Sequence, residues 1–431
     1  HFVAFLGKAK SMENTPLAMA NAFTIEQQLN LLIDDFLIEK TDEGITTHPV
    51  ISDYFRSGHK ITGTHSEVAG FLKAKPGNDR PENIEEVRDL LEAVQLFCDE
   101  GKYKVADDLF KERLVEGGYG FNVFKNLPAI TEGLECELAF VGDEGRQQRA
   151  KEALGEERVA SHFSGMSLYS NYLGNLAQAI EWRYKGLEIG RLQQNKSIQA
   201  VSLHNISSIE TAMGNITKAR ETVSDAIKLS YESENLSDLR TEFGFKAFYE
   251  FLLGNSEQAF QDFEIALCYE QVRNVDEDHL CSLIGNQQAE FLFRIESWKP
   301  FEAVNLWNIR ICREYCWYNQ LAICHLLEGC YYIFLKKFSQ AEKVLEQVER
   351  ILRPSGILEN ICRLDGAWAL LEITAKGNYQ KGLQHVNDSL ITCADKGFCL
   401  RQTEHFVLRG HLFLLQFQKE NQEDLDLVEK S

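Results

Sequence analysis

Histidine and cysteine carry much of the chemistry proteins do near neutral pH, and in this sequence they form no recognised catalytic or metal-binding set. His59 and His65 lie in a stretch rich in Gly and Pro at a spacing that forms no metal-ligand set, so both are expected to face solvent. Cys324 and His325 are neighbours in sequence, but adjacent side chains on a helix diverge by about 100°, which is no nucleophile–base geometry. The sequence holds no Gly-x-x-x-x-Gly-Lys-Ser/Thr, no Gly-x-Ser-x-Gly, no His-Glu-x-x-His and no calcium-binding loop. No catalytic residue and no metal site are assigned, and the chain is expected not to be an enzyme by itself.

Charge narrows the partners. Forty-five Lys and Arg against 65 Asp and Glu give a net charge of -20, so a phosphate backbone would be repelled and nucleic acid is excluded as a partner. No stretch of 18 apolar residues occurs, which leaves no membrane-spanning segment. Eleven cysteines, an odd number with no Cys-x-x-Cys pair, read as small apolar residues of a protein in a reducing cytoplasm. The sequence begins at His1 with no signal-peptide pattern and is expected to be a piece of something longer.

The elements that position these side chains are helices. Only seven prolines occur, and apolar residues recur at three and four, as in Leu176, Ala179, Ile180, Tyr184 and Leu187. An internal repeat is plain. Gly174, Gly214 and Gly254 stand 40 residues apart, each followed by Asn and, five positions on, by Ala179, Ala219 and Ala259. Seven further come Gly186, Ala226 and Ala266, with weaker copies at Ala303, Ala341, Gly382 and, upstream, Ala106. Small residues also sit at Ser167, Ser207, Ala247 and Gly329 in the preceding helices. A left-handed glycine ends one helix, and small residues let the two helices of a hairpin approach closely.

This pattern resembles the tetratricopeptide repeat, although another helical solenoid could also place Gly and Ala at a fixed period. The resemblance implies an all-α, right-handed solenoid of about seven helical hairpins over residues 84 to 431, with a period near 40. The family's usual unit is about 34 residues, so each helix here is expected to gain most of a turn, as in the elongated repeats of bacterial regulatory ATPases.

Residues 1 to 58 do not share the repeat. Thr24 and Gln27 form a capping-box arrangement at the start of a helix that carries Leu29, Leu32 and Ile33 on one face. A strand, the acidic turn Asp42-Glu43-Gly44, a second strand and a helix with Val50, Tyr54 and Phe55 follow, as at the end of a winged helix. The helix before the strands has no Lys or Arg, which argues against DNA reading. Residues 31 to 55, with Ile45, His48, Pro49, Val50 and Tyr54, resemble the winged helix that follows the nucleotide-binding core in the STAND class of signalling ATPases, which includes NACHT and NB-ARC proteins. That resemblance implies a role for His48 near the β-phosphate of ADP, with ADP or ATP expected only where an ATPase core is present; the chain itself is expected to need no cofactor. On residue type alone, a histidine before a helix also caps or packs. Residues 59 to 83 read as a linker.

A repeat array offers surface in place of an active site. Carried over from the tetratricopeptide pattern, the groove-lining positions fall on Asn171 and Tyr172, His204 and Ser208, Phe248 and Phe251, and, with Ala289 as the small helix residue, Asn286, Glu290 and Arg294. Mixed amides and aromatics suit a peptide or protein segment, although Phe248 and its like are equally what an inter-repeat core would use. The resemblance to STAND proteins implies a sensor region that binds a protein or peptide inducer and relays it through the winged helix to relieve autoinhibition, with oligomerisation of the complete protein following. A free-standing scaffold joining protein partners is the alternative.

Overall fold

The computed structural model describes residues 38–41, 44–47, 69–70, 72–74, 84–115, 129–273 and 278–430, which fall into two units, His1–Leu114 and Val115–Ser431. In the first, strands β1 (Ile38–Thr41) and β2 (Gly44–Thr47) pair antiparallel with Ile38 opposite Thr47, the two strands read from the sequence. The rest of the expected winged helix, His48 included, lies outside the described residues. Helix α1 (Ile84–Asp99) follows, burying Val87, Leu90, Leu91, Val94 and Phe97 at helical spacing. It turns through Gly101 at φ 77° into α2 (Tyr103–Leu109), on which the repeat's Ala106 is fully buried, and ends in a π-helical turn, Phe110–Val115.

In the second unit α3 (Ile130–Val141) packs against α5 (Glu156–Tyr172), with α4 (Glu144–Leu154) between them in sequence. Hairpins then pair α5 with α6 (Leu176–Leu192), α7 (Lys196–Ala212) with α8 (Ile216–Glu232), and α9 (Leu236–Leu252) with α10 (Ser256–Arg273). Three more pair α11 (Ser282–Arg294) with α12 (Trp298–Glu314), α13 (Tyr318–Phe334) with α14 (Phe338–Ser355), and α15 (Leu358–Lys376) with α16 (Tyr379–Lys396). Helix α17 (Cys399–Lys430) closes the unit. The odd-numbered helices from α5 to α17 touch one another in succession and form an inner layer; the even-numbered ones pack mainly against their sequence neighbours outside it.

The structural step is half the sequence period. From α5 to α9 each helix has 17 residues, and a left-handed residue follows each end: Gly174, Gln194, Gly214, Glu234 and Gly254, with φ between 52° and 88°. Glycine occupies only alternate turns, which is why the sequence shows 40. Asparagines 175, 195, 215, 235 and 255 open the helices at the shorter step. Asn195 accepts from the Ile198 amide at 3.1 Å, whereas Asn215 and Asn255 donate to Glu210 and Glu250 at 2.7 and 2.6 Å, tying each turn to the helix before it.

Small residues meet at the crossings as expected: Ser167, Ser207, Ala247 and Ala289 on the inner helices, and Ala179, Ala219, Ala259 and Ala341 on the outer ones, are buried. The fourth hairpin departs from the sequence reading. Ala303 is exposed, and the buried position is Phe301, whose ring fills the crossing between Phe293 and Tyr331 at centroid distances of 5.5 and 5.2 Å.

The sixth hairpin returns to the first two. Leu176, Ala179, Ile209 and Ala212 form one apolar cluster with Cys362, Cys393 and Phe398. At this seam glycine eases two things at Gly174 and Gly214, a left-handed backbone and a close approach. A Cβ on Gly174 would stand 2.8 Å from Lys396 Cγ, and one on Gly214 3.0 Å from Cys399 Cβ.

Candidate functional site

The inner helices line a partly open cavity of about 220 Å³. Helical register places one or two amides from each of five inner helices at its wall: Asn171 from α5, Asn205 from α7, Asn286 and Gln287 from α11, Asn319 and Gln320 from α13, and Asn360 from α15. Phe245, Phe248 and Tyr249 from α9 supply an aromatic side, and Ser167, Ser208 and Thr211 add hydroxyls. Charged groups enter as Arg183, Glu290, Glu359, Arg363 and Arg401. Amides both donate and accept, the complement of an extended peptide backbone.

Of the residues assigned from sequence, Asn171, Tyr172, Ser208, Phe248, Asn286 and Glu290 line this cavity. The acceptor oxygen of Asn171 is buried with no hydrogen-bond partner, as is that of Gln287. Asn286 is held fast: its Nδ2 donates to the Gln320 carbonyl at 3.1 Å, and its Oδ1 accepts from Asn308 at 2.8 Å. His204 and Phe251 are turned away. His204 sits 3.5 Å from Glu242 and packs beside Phe245 on the next inner helix, and Phe251 packs against Phe248 and Phe291 in the core. Arg294 lines a second, more apolar cavity of about 660 Å³ bordered by Phe293, Leu326, Leu370 and Leu408.

Glu290, Arg363 and Arg401 line both cavities, and between them lies an ion network that ties α11 and α15 to α17. Glu290 accepts from Arg294 at 2.6 Å and from Arg363 at 2.7 Å, with Arg401 at 3.8 Å. Glu404 accepts from Arg294 at 2.5 Å and from Arg401 at 2.8 Å, and Glu359 accepts from Arg401 at 2.8 Å. Three carboxylates thus balance three guanidiniums. Burial alone would raise the Glu290 carboxyl, but Arg363, Arg294 and Arg401 outweigh it and hold the group below its usual range. For Glu404 the same opposition, with Arg401 and Arg294 winning over burial, brings the pKa down to about 2.

These depressed values set a pH dependence. A carboxylate more acidic when folded contributes stability that is fully present above its unfolded pKa and is lost as pH falls through the folded one. For Glu404 the window runs from 4.5 down to about 2. Thermal unfolding is therefore expected to show no loss from Glu404 between neutrality and pH 5, and a progressive fall below. Removing Glu404 by substitution with glutamine should flatten that acid limb; an unchanged limb would count against the network.

Sequence reasoning missed Glu359, Arg363, Arg401 and Glu404, because their partner Glu290 is far away in sequence and only the return of the last hairpin joins them. It also missed Arg183, for which a signal exists. Eight residues after the helix-opening position of each outer helix stand Arg183, Val223, Phe263, Asn305, Leu345 and Val386. An arginine in a column of mostly apolar residues is the anomaly.

The sequence matches no protein-family model and no curated protein. Solved structures of similar fold are tetratricopeptide-like repeat proteins. They include the Rap conjugation gene regulator of plasmid pLS20 in complex with a Phr peptide, at 10% identity and TM-score 0.49, covering 86% of this chain and 92% of that one. A tetratricopeptide repeat protein from Parabacteroides merdae is similar at 15% identity and TM-score 0.39, over 66% of this chain and 99% of that one. A STAND protein with a tetratricopeptide repeat sensor from Pyrococcus horikoshii is similar at 13% identity and TM-score 0.42, over 95% of this chain and 60% of its own length. At these identities and TM-scores the likeness assigns no role to this chain. Among the described residues no helix is long and apolar enough to cross a membrane.

Proposed function

We propose that this chain binds a peptide, or an extended segment of a protein, in the cavity lined by the inner helices. The observation that carries the reading is the ring of amides from α5, α7, α11, α13 and α15, two of which, Asn171 and Gln287, keep a buried acceptor unmatched. Leaving such groups buried costs about 1–3 kcal/mol each, and a peptide N–H would satisfy them. The role extends to that of the sensor region of a signal-transducing ATPase, in which occupancy of the cavity relieves autoinhibition through the segment before the repeats. The order of a winged-helix-like hairpin followed by repeats supports this extension. Any ADP or ATP would belong to the nucleotide-binding core of the complete protein, with His48 beside it, and the chain would carry no catalytic step of its own.

The test is selection on immobilised protein from a randomised hexapeptide pool, with captured peptides identified by mass spectrometry. A shared sequence pattern is expected, and the paired substitutions Asn171→Ala and Gln287→Ala should weaken captured peptides by about tenfold or more, at about 1 kcal/mol per lost hydrogen bond. Recovery of no preferred sequence would remove the reading.

A further inference from the structure

Within the peptide-binding reading, Arg183 identifies the charge of the ligand. In the second, third, fifth and sixth hairpins its place on the outer helix is filled by Val223, Phe263, Leu345 and Val386, each buried to 1% exposure or less. The fourth carries Asn305, whose Nδ2 donates to the Cys324 carbonyl at 3.2 Å. Arg183 is likewise buried, at 5% exposure, in a position the fold elsewhere gives to an apolar side chain.

Its guanidinium is not compensated. Nε and Nη1 are buried without a hydrogen-bond partner, and among the described residues no carboxylate pairs with it. The contrast with Arg363 and Arg401 in the same cavity is direct, since Glu290, Glu359 and Glu404 neutralise those two. Burial pulls the Arg183 pKa down to about 10, against a smaller opposing influence of the Tyr172 hydroxyl, so the group stays cationic at neutral pH. A lone buried charge is costly, and removing it for a well-packed apolar residue commonly stabilises a protein. Both groups line the cavity, with Asn171 beside Tyr172 on the inner helix.

We propose that Arg183 is the receptor for a carboxylate on the peptide that occupies the cavity. A guanidinium fork matches a carboxylate in geometry and charge, and the ligand would supply the partner the protein withholds. Two sources share this chemistry: the carboxyl end of the peptide chain and an Asp or Glu side chain within it.

Two hexapeptide pools separate them, one with free carboxyl ends and one with amide ends, each captured on wild type and on Arg183→Leu. Peptides captured by wild type are expected to bind Arg183→Leu at least about tenfold more weakly, as for loss of a charge-assisted hydrogen bond. The variant should melt at a higher temperature than wild type, because leucine is what the sister hairpins tolerate. Enrichment from the free-acid pool alone assigns the chain end; enrichment of Asp or Glu from both pools assigns a side chain. Equal affinity for wild type and Arg183→Leu would overturn the assignment while leaving peptide binding intact, and a lower melting temperature would overturn it by marking Arg183 as structural. Failure of wild type to enrich any peptide from either pool would overturn both.

Discussion

Glu290→Ala is expected to destabilise the second unit by about 3–5 kcal/mol, the cost of breaking a buried ion pair by removing one partner. Arg363 donates to Glu290 at 2.7 Å and pairs with no other carboxylate among the described residues, so the variant leaves it buried and alone. Arg294 and Arg401 keep Glu404, but three positive charges then face two negative ones. In thermal unfolding the loss corresponds to roughly 5–7 °C for a unit of this size.

Removing both charges discriminates a buried network from surface pairs. Arg363→Met placed on Glu290→Leu should recover most of the loss, since replacing a buried pair by apolar groups of similar volume is often neutral or stabilising. A drop of less than about 1 kcal/mol for the single variant would mean that Glu290 is solvated, and the ion network joining α11 to α15 and α17 would then be wrong.

The parts of this fold that were legible in the sequence are those set by local backbone and contact geometry. Gly174, Gly214 and Gly254 take positive φ, which glycine adopts at least cost, and Ala179, Ala219 and Ala259 are small where the helices cross, so residue type alone revealed them. Gln194, Glu234, Cys316 and Lys336 adopt the same left-handed conformation without being glycine, so the intermediate turns went unread. Phe301 went unread for the opposite reason: its crossing is wide enough for an aromatic ring where the other hairpins need a methyl group or less.

The cavity was legible as far as one helix decides which way a side chain faces. Asn171, Ser208 and Asn286 fall on the inner face by position. His204 is four residues from Ser208, one turn back, yet it is drawn into the crossing with the next inner helix by Glu242 and Phe245. The partners of Glu290 and Arg294 come from residues 359 to 404, across the seam, and nothing in a local pattern announces a contact between the fourth hairpin and the last helix.

That seam is what makes a stack of hairpins into a cavity, and a covalent bond across it reads it out directly. A Cβ on Gly214 would stand 3.0 Å from Cys399 Cβ, and a shift of a few tenths of an ångström brings the pair to the roughly 3.5 Å at which disulfides begin. The loop so closed is nearly two hundred residues, for which chain entropy gives about 5 kcal/mol of stabilisation, reduced by about 1–2 kcal/mol for a non-glycine residue in a left-handed turn. Gly214→Cys is therefore expected, on mild oxidation, to yield a peptide-mapped disulfide between residues 214 and 399 and a net gain of about 3 kcal/mol on unfolding. A residue 214 thiol that stays reduced, or that pairs with another cysteine, would contradict the closed arrangement and with it the cavity.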